Sequence, residues 1–400
     1  MKKSVFYFPI WGDDYIKLFS DFALKCLFNN LNKLDKRMLK NSKIEIWTFK
    51  KDIPKLKALK NIKLLEKKIQ INIENIDLIY ESLDKTYLNK YQTLSILQKI
   101  FINSHSHKYE YLWFIYPDFI FSDQMIKSFY DLKKKYDAYF IPVPQLIEEK
   151  VEVAFKAKNF KANTKNITDL LFKYLHPIVK ICDVDNSKTT TPSMFLASNK
   201  NSYALKYFHM HPIVIKSNSD NLEMNNKFYS SLDEGLVQSL DKKNIFITKD
   251  NYFGICISLL KEKEYQLPNE KFNLDLTLEW CKNHINTTHL EISKYTYFIK
   301  LNETGHVNTV LENKINKRLN PLRKELLKSY KKKNSGFGQS LNLDIYPVIL
   351  NNEIYSIIRN NYFKKYFNNE ANTLKKTIKK NIKFKEPMFD WLKKLYIKNL

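Results

Sequence analysis

In the stretch YEYLWFIYPDFIFSDQMI, residues 109–126, a carboxylate, Asp118, stands in the most hydrophobic run of the chain. An ionised carboxylate left unpaired among apolar groups costs several kcal/mol, so the position needs a reason. Two readings are open. Either Pro117 ends a strand and Asp118 begins a solvated turn, or Asp118 stands at the carboxyl end of a buried strand, where open α/β sheets bind their ligands. A second stretch, FHMHPIVIK at 208–216, sets His209 and His211 ahead of an apolar strand. The two would share one face if the segment is extended. His211 is either a hydrogen-bonded core imidazole or a ligand for a diphosphate or a metal. No third ligand follows at close spacing, so these residues alone do not make a dedicated metal site. General bases for an acceptor hydroxyl could come from Glu148, Glu149 and Glu152 after FIPVP, or from Asp233 and Glu234 before Gly235. The other reading of the glutamates is a solvated helix face.

Weaker signals surround these. A DxD triplet, Asp183–Asp185 in KICDVDN, could hold a divalent cation through oxygen ligands, but composition alone produces such triplets. Cys281 and His284 form a lone CxxH without a second pair at zinc spacing. With six glycines there is no GxGxxG and no phosphate-binding GxxxxGK[ST], and neither GxSxG nor HExxH occurs. The four cysteines, Cys26, Cys182, Cys256 and Cys281, read as buried thiols of a reducing compartment.

Positioning these groups falls to an alternation of strands and helices. Strands are expected at Val5–Ile10, Ile44–Phe49, Ile69–Ile73, Leu112–Ile115 and Ala138–Val143. Helices are expected at Tyr15–Leu31, Ile53–Leu65, Leu88–Ser104 and Ser122–Lys135, the last capped by Ser122. That order predicts an α/β protein with a mostly parallel sheet and helices on both faces. Beyond residue 145 come helical patterns at 147–160 and 168–180 and short strands near 192–197, 213–216, 245–247 and 255–260. From about 266 to 400 the chain reads as a second, basic and mainly helical region after a sheet domain over 1–265. A turn is expected at 334–338 and helix from Ile354 onward.

The net charge of +25 rests on 67 basic residues, of which four are arginine: Arg37, Arg318, Arg323 and Arg359. Base readers and phosphate clamps favour the arginine fork, so nucleic acid is not the expected partner. An anionic membrane or anionic substrate suits the charge as well. Over 373–400, Leu374, Ile378 and Ile382 and then Trp391, Leu392, Leu395 and Tyr396 oppose lysines, a pattern that suits a membrane surface or packing on the protein itself. No run of apolar residues is long enough to span a bilayer.

The order of several short motifs resembles a bacterial family of nucleotide-diphospho-sugar-transferase-like proteins. FYFPIWGDDYIKLFSD resembles its first strand, Trp-Gly turn and acidic helix start; IEIWTFKKDI resembles its second strand. FIYPDFIFSD resembles its Pro-Asp strand end, FHMHPIVI its His-x-His-Pro strand, and SLDEG its following acidic segment. The likeness spans roughly residues 4–260. It implies a GT-A-like glycosyltransferase fold and a nucleotide-sugar donor, with a hexosyl group passing to a hydroxyl of a glycan or lipid-linked acceptor in surface polysaccharide synthesis. The expected enzyme is cytoplasmic, and the basic amphipathic pattern of 373–400 adds the expectation of peripheral docking at the inner membrane. By carry-over Trp11, Gly12, Asp118 and His211 line the donor site, with Asp118 the expected ligand for Mn²⁺ or Mg²⁺; from their own positions, Asp233 and Glu149 are the expected bases for the acceptor. This sequence departs from the family's paired acids, because the residue two before Asp118 is Tyr116. His211 or a lysine would then meet the diphosphate instead. The rival expectation is a non-catalytic module that binds polyanions, RNA or membrane.

Overall fold

A computed structural model gives the architecture. It describes residues 3–332 apart from 82–89, 133–135, 157–159, 191–192, 218–231, 238–239, 241–242, 264–269 and 302–308. The expected turn at 334–338, the helix from Ile354 and the basic stretch 373–400 lie outside the described residues.

Apolar runs become buried strands. β1 (Ser4–Pro9), β2 (Lys43–Thr48), β3 (Gln70–Asn75) and β4 (Tyr111–Phe114) come first, with β1, β2 and β4 buried at every residue. Then follow β5 (Phe119–Phe121), β6 (Ala138–Phe140), β7 (Gln145–Ile147), β8 (Met194–Asn199), β9 (Ser202–Tyr207) and β10 (Pro212–Lys216). β11 (Ile245–Ile247), β12 (Cys256–Leu260) and β13 (Tyr297–Lys300) complete the set. The central sheet has the order β11-β6-β10-β4-β1-β2-β3. All its pairs are parallel except the two made by β10. Runs buried on both faces are what a helix-covered parallel sheet requires. The predicted class, a mostly parallel α/β sheet flanked by helices, is the class observed.

The chain builds β1, β2 and β3 outward on one side and then returns to place β4 on the other side of β1. Strand order therefore reverses between β1 and β4, and the carboxyl ends of these strands are where open α/β sheets place a ligand crevice. Two smaller sheets, β5-β12-β7 and β13-β9-β8, stand beside the main one. The second carries its own apolar cluster. Phe195, Ala204 and Phe208 pack there against Leu311, Ile315, Leu319, Leu322 and Leu326. The last five are the buried stripe of a helix, Thr309–Lys332, and recur every three to four residues as one face of a helix does. Residues on both sides of 265 thus share one sheet, since β13 pairs with β9, and Ile292, Tyr297 and Ile299 join the main core.

Local differences from expectation have local causes. The helix expected at Ser122–Lys135 is Met125–Asp131. Ser122 is held by the sheet instead of capping: its N–H donates to Ile255 O (2.9 Å) and its Oγ accepts from Ile255 N (3.2 Å). Away from the site, a buried acid anchors the sheet. Glu45 on β2 is fully buried, accepts from Trp47 Nε1 (2.9 Å) and pairs with Lys43 and with His105 Nε2 (3.1 Å).

Candidate functional site

β1 ends at Pro9, and the chain turns at Trp11 and Gly12. Gly12 has φ 82° and ψ 154°, a region open almost only to glycine. Its N–H donates to Asp52 Oδ2 (2.9 Å), and its carbonyl accepts from Ile16 N (3.0 Å), opening the first turn of the helix Asp13–Leu18. Asp52 is 1% exposed and lies just past β2. Trp11 packs edge-on against Phe49 (6.1 Å between ring centroids), which meets Tyr80 in turn (5.1 Å). Gly12→Ala should cost about 1–3 kcal/mol through backbone strain alone, because nothing lies within 4 Å of an added Cβ. Urea unfolding of the variant checks this, and an unchanged midpoint would refute it.

β4 runs beside β1 in parallel, with Tyr7 opposite Phe114 and Ile115 N donating to Tyr7 O (3.1 Å). Tyr116–Asp118 follow β4 at the carboxyl end of the sheet, the end at which Trp11 and Gly12 follow β1. Asp118 is half-buried, and its carbonyl accepts from Leu259 N (3.1 Å), which ties the strand end to β12. β10 is antiparallel to β4, so its amino end opens on this same edge. That direction delivers His211, the residue before β10. Its Nε2 lies 2.5 Å from Tyr116 Oη. Gln98 Nε2, from the helix Lys90–His105, donates to the same phenol oxygen. His211 Nδ1 is buried without a hydrogen-bond partner.

Charges complete the group. Burial drives the Tyr116 phenol well above its ordinary range, and the nearby Asp233 and Asp118 carboxylates push it the same way. Burial lowers His211 to about 4 against the opposing pull of Asp233, so the imidazole is neutral near pH 7. Asp233 is half-buried, and its backbone carbonyl accepts from His289 Nε2 (2.7 Å). His289 stands on the helix Thr287–Ile292, in the region beyond 265. Asp118, Tyr116, His211 and Asp233 thus form one electrostatically linked set at the crevice. The arrangement offers two carboxylates to accept protons and one neutral imidazole to donate or accept.

Other nominated residues go elsewhere. Glu149 is exposed in the first turn of the helix Glu148–Lys156, and its carboxylate accepts from Glu262 N (3.2 Å). Glu152 is bound to Lys17 (2.6 Å) and Lys156 (2.5 Å). His209 does not share a face with His211, because β10 begins only at Pro212. It hydrogen-bonds to His284 O (2.9 Å) and packs on Trp280. The DxD triplet is used locally, Asp183 by Asp185 N (2.9 Å) and Ser198 Oγ (3.3 Å), and Asp185 by Lys314 (2.8 Å). All four cysteines are buried.

The expected Mn²⁺ or Mg²⁺ can be tested against these donors. Hard cations take several oxygen ligands. Here the position paired with Asp118 is a phenol whose proton burial retains, and His211 Nε2 is already engaged by that phenol. Among the described residues no group of three His, Cys, Asp or Glu side chains could hold a metal. Among the described residues the side chains present do not fit a divalent cation. Tyr116 and Gln98 are the members that sequence reading missed as site residues. The signal for Tyr116 was its place two before Asp118; Gln98 carries none.

The fold and site define an α/β protein with a mostly parallel sheet and a carboxylate–imidazole group at its topological switch point. No protein-family model matches the sequence, and no curated protein matches it. Solved structures are similar at a low level. S. aureus TarS 1-349 aligns at 11% identity over 86% of this chain and 77% of that one, with a TM-score of 0.32. Mouse xyloside xylosyltransferase 1 aligns at 10% identity over 40% of this chain and 59% of that one, TM-score 0.28. The bifunctional glycosyltransferase WbbM aligns at 11% identity over 82% of this chain and 51% of that one, TM-score 0.27. Against the S. aureus TarS structure the chain covers 38% of that chain's length at 10% identity, TM-score 0.30. Among the described residues no helix is long and apolar enough to cross a membrane.

Proposed function

We propose that the protein is a glycosyltransferase of the GT-A type that moves a hexosyl group from a nucleoside-diphosphate sugar to a hydroxyl of a glycan or lipid-linked acceptor in surface polysaccharide synthesis. The observation that carries this reading is the linked set Asp118, Tyr116, His211 and Asp233 at the β1–β4 crevice. The motif order that resembles nucleotide-diphospho-sugar transferases supports it. Trp11, Gly12 and Asp118 would line the donor site, with Trp11, Phe49 and Tyr80 as its aromatic wall.

The chemistry follows from the groups present. The acceptor oxygen attacks the anomeric carbon, and the bond from that carbon to the diphosphate oxygen breaks. Its electron pair leaves with the diphosphate. The acceptor proton goes to a carboxylate, which we assign to Asp233 because it belongs to the linked set. Glu149, exposed and engaged by Glu262 N, is the less suited of the two nominated bases. The net charge of +25 favours an anionic acceptor or membrane nearby, with 373–400 as the segment that would dock at the cytoplasmic face of the inner membrane.

Thermal unfolding against a panel of nucleotides and nucleotide sugars tests the reading. A ligand at about 100 times its dissociation constant adds about 2.7 kcal/mol of stability. A shift with one nucleotide, lost in Asp118→Ala, is expected. No shift with any of them would favour a polyanion-binding module, whose affinity for any polyanion would fall steeply with salt.

A further inference from the structure

Asp233, the proposed base, is held by a histidine 56 positions further along the chain. It lies in a single turn of π type, Leu232–Leu236, a rare geometry that is frequent at functional sites. Leu232, Leu236 and Val237 are fully buried in the main core, whereas Asp233 is half-buried. Apolar burial fixes where the turn sits but carries no direction. Direction comes from His289, whose Nε2 lies 2.7 Å from the Asp233 carbonyl oxygen. The His289 side chain is itself fully buried, so the contact is made away from bulk water. Its helix, Thr287–Ile292, is fastened on two sides, because Leu290 enters the apolar cluster of the β13-β9-β8 sheet and Ile292 enters the main core.

The polarity of this bond follows from its partners. A carbonyl oxygen can only accept, so His289 Nε2 carries a proton and donates it. The other ring nitrogen is served by the start of its own helix. Asn286 Oδ1 accepts from the N–H groups of Thr288 and His289 (3.0 Å each), and Asn286 N donates to His289 Nδ1 (3.2 Å). Asn286 Oδ1 also lies 2.8 Å from Nδ1, and the two donors already occupy its lone pairs. A neutral ring that accepts at Nδ1 keeps its proton on Nε2, the side that faces Asp233. Capping boxes ordinarily close with Glu or Gln at this position. A carboxylate would close the box yet offer Asp233 no donor; the imidazole does both. We infer that His289 is a positioning residue, which fixes the Asp233 peptide so that its carboxylate meets the acceptor hydroxyl, a role that rests on the nucleotide-sugar reading and on Asp233 as its base. His289 takes no part in the proton transfer: the acceptor proton goes to Asp233, and the electron pair of the broken bond leaves with the diphosphate. A reacting group displaced by about 1 Å can cost about 10²-fold in rate.

The test is release of nucleoside diphosphate by the full chain from UDP-glucose, UDP-galactose, UDP-N-acetylglucosamine, GDP-mannose and TDP-glucose, with water as the acceptor. His289→Phe is expected to lower kcat about 10- to 100-fold and to leave the donor KM within about threefold. His289→Gln should bring kcat back to within about threefold of the parent, because its amide nitrogen can donate to Asp233 O while its oxygen accepts from Asn286 N. In an Asp233→Asn background, His289→Phe should cost less than about threefold, since a residue that acts through Asp233 then has nothing to act through. Thermal unfolding confirms that each variant is folded. In the parent, the ¹⁵N shifts of the histidines should show a proton on His289 Nε2. A His289→Phe loss that persists in full in the Asp233→Asn background overturns the positioning role and leaves the nucleotide-sugar reading intact. A folded His289→Gln protein as slow as His289→Phe, or an unprotonated Nε2, does the same. An Asp233→Asn protein as fast as the parent overturns Asp233 as the base, and this role with it. No release and no thermal shift with any of the five overturns the nucleotide-sugar reading itself, and the role of His289 with it.

Discussion

Asp233→Asn is expected to lower the rate of sugar transfer by about 10²–10⁴-fold, the range that a positioned general base contributes. The substitution keeps shape and volume. It leaves the Asp233 backbone carbonyl available to His289 Nε2. It removes only the proton-accepting carboxylate and the charge that bears on Tyr116 and His211. Nucleoside-diphosphate affinity should stay close to that of the parent if the carboxylate has the acceptor-side role proposed for it. Steady-state kinetics with the nucleotide sugar found by thermal shift is the measurement. A kcat within about tenfold of the parent would remove Asp233 from the role of base.

Glu45→Gln is expected to destabilise the fold by about 3–5 kcal/mol, the usual result of removing one partner from a buried ion pair. The carboxylate is fully buried. Burial alone would push its pKa up, but His105 and Lys43 outweigh that and hold it down to about 2. The consequence for pH has a definite sign. The group's folded pKa is depressed from 4.5 to about 2, so its contribution is fully present above about 4.5. As pH falls from there through about 2, the folded state must take up a proton it resists, and the contribution is lost. The parent should therefore lose stability over that window, with about 3 kcal/mol of the loss assigned to Glu45. Urea midpoints measured from pH 6 to pH 2 on parent and variant check this. Parallel curves for the two proteins would show that Glu45 does not carry the acid sensitivity.

The main sheet was legible because its strands are apolar runs between helical spacings, as IEIWTF and YLWF are. The expectation missed β5, β7, β9 and β13. β9 is six residues long, but its last four are all buried, so it shows no period-two alternation. β5 and β7 have three residues and β13 four, too short for a period-two pattern to declare itself. Their existence depends on pairing with β12 and β9. The site was legible where residue type is incongruous with its setting. Asp118 in an apolar run and His211 before an apolar strand drew notice for that reason. What could not be read was pairing across the chain. Tyr116 and His211 are separated by 95 positions, and only the antiparallel course of β10 makes them neighbours. Glu149 was nominated because it follows a strand closely, yet a strand's own carboxyl end does not decide which neighbour its helix faces.

β13 closes onto β9, and the helix Thr309–Lys332 covers the sheet so formed. Evolution therefore cannot exchange the later part of this chain as a cassette at a seam near 265. Recombination there would sever a sheet, strip the apolar face of β9 and unseat the imidazole that holds the helical turn Leu232–Leu236 at Asp233. Divergence in acceptor preference would have to arise by substitution within an interlocked body, or by replacement of the whole unit from β8 through that helix together. For the proposed activity, the unit inherited together would be larger than the sheet that carries β1 to β4.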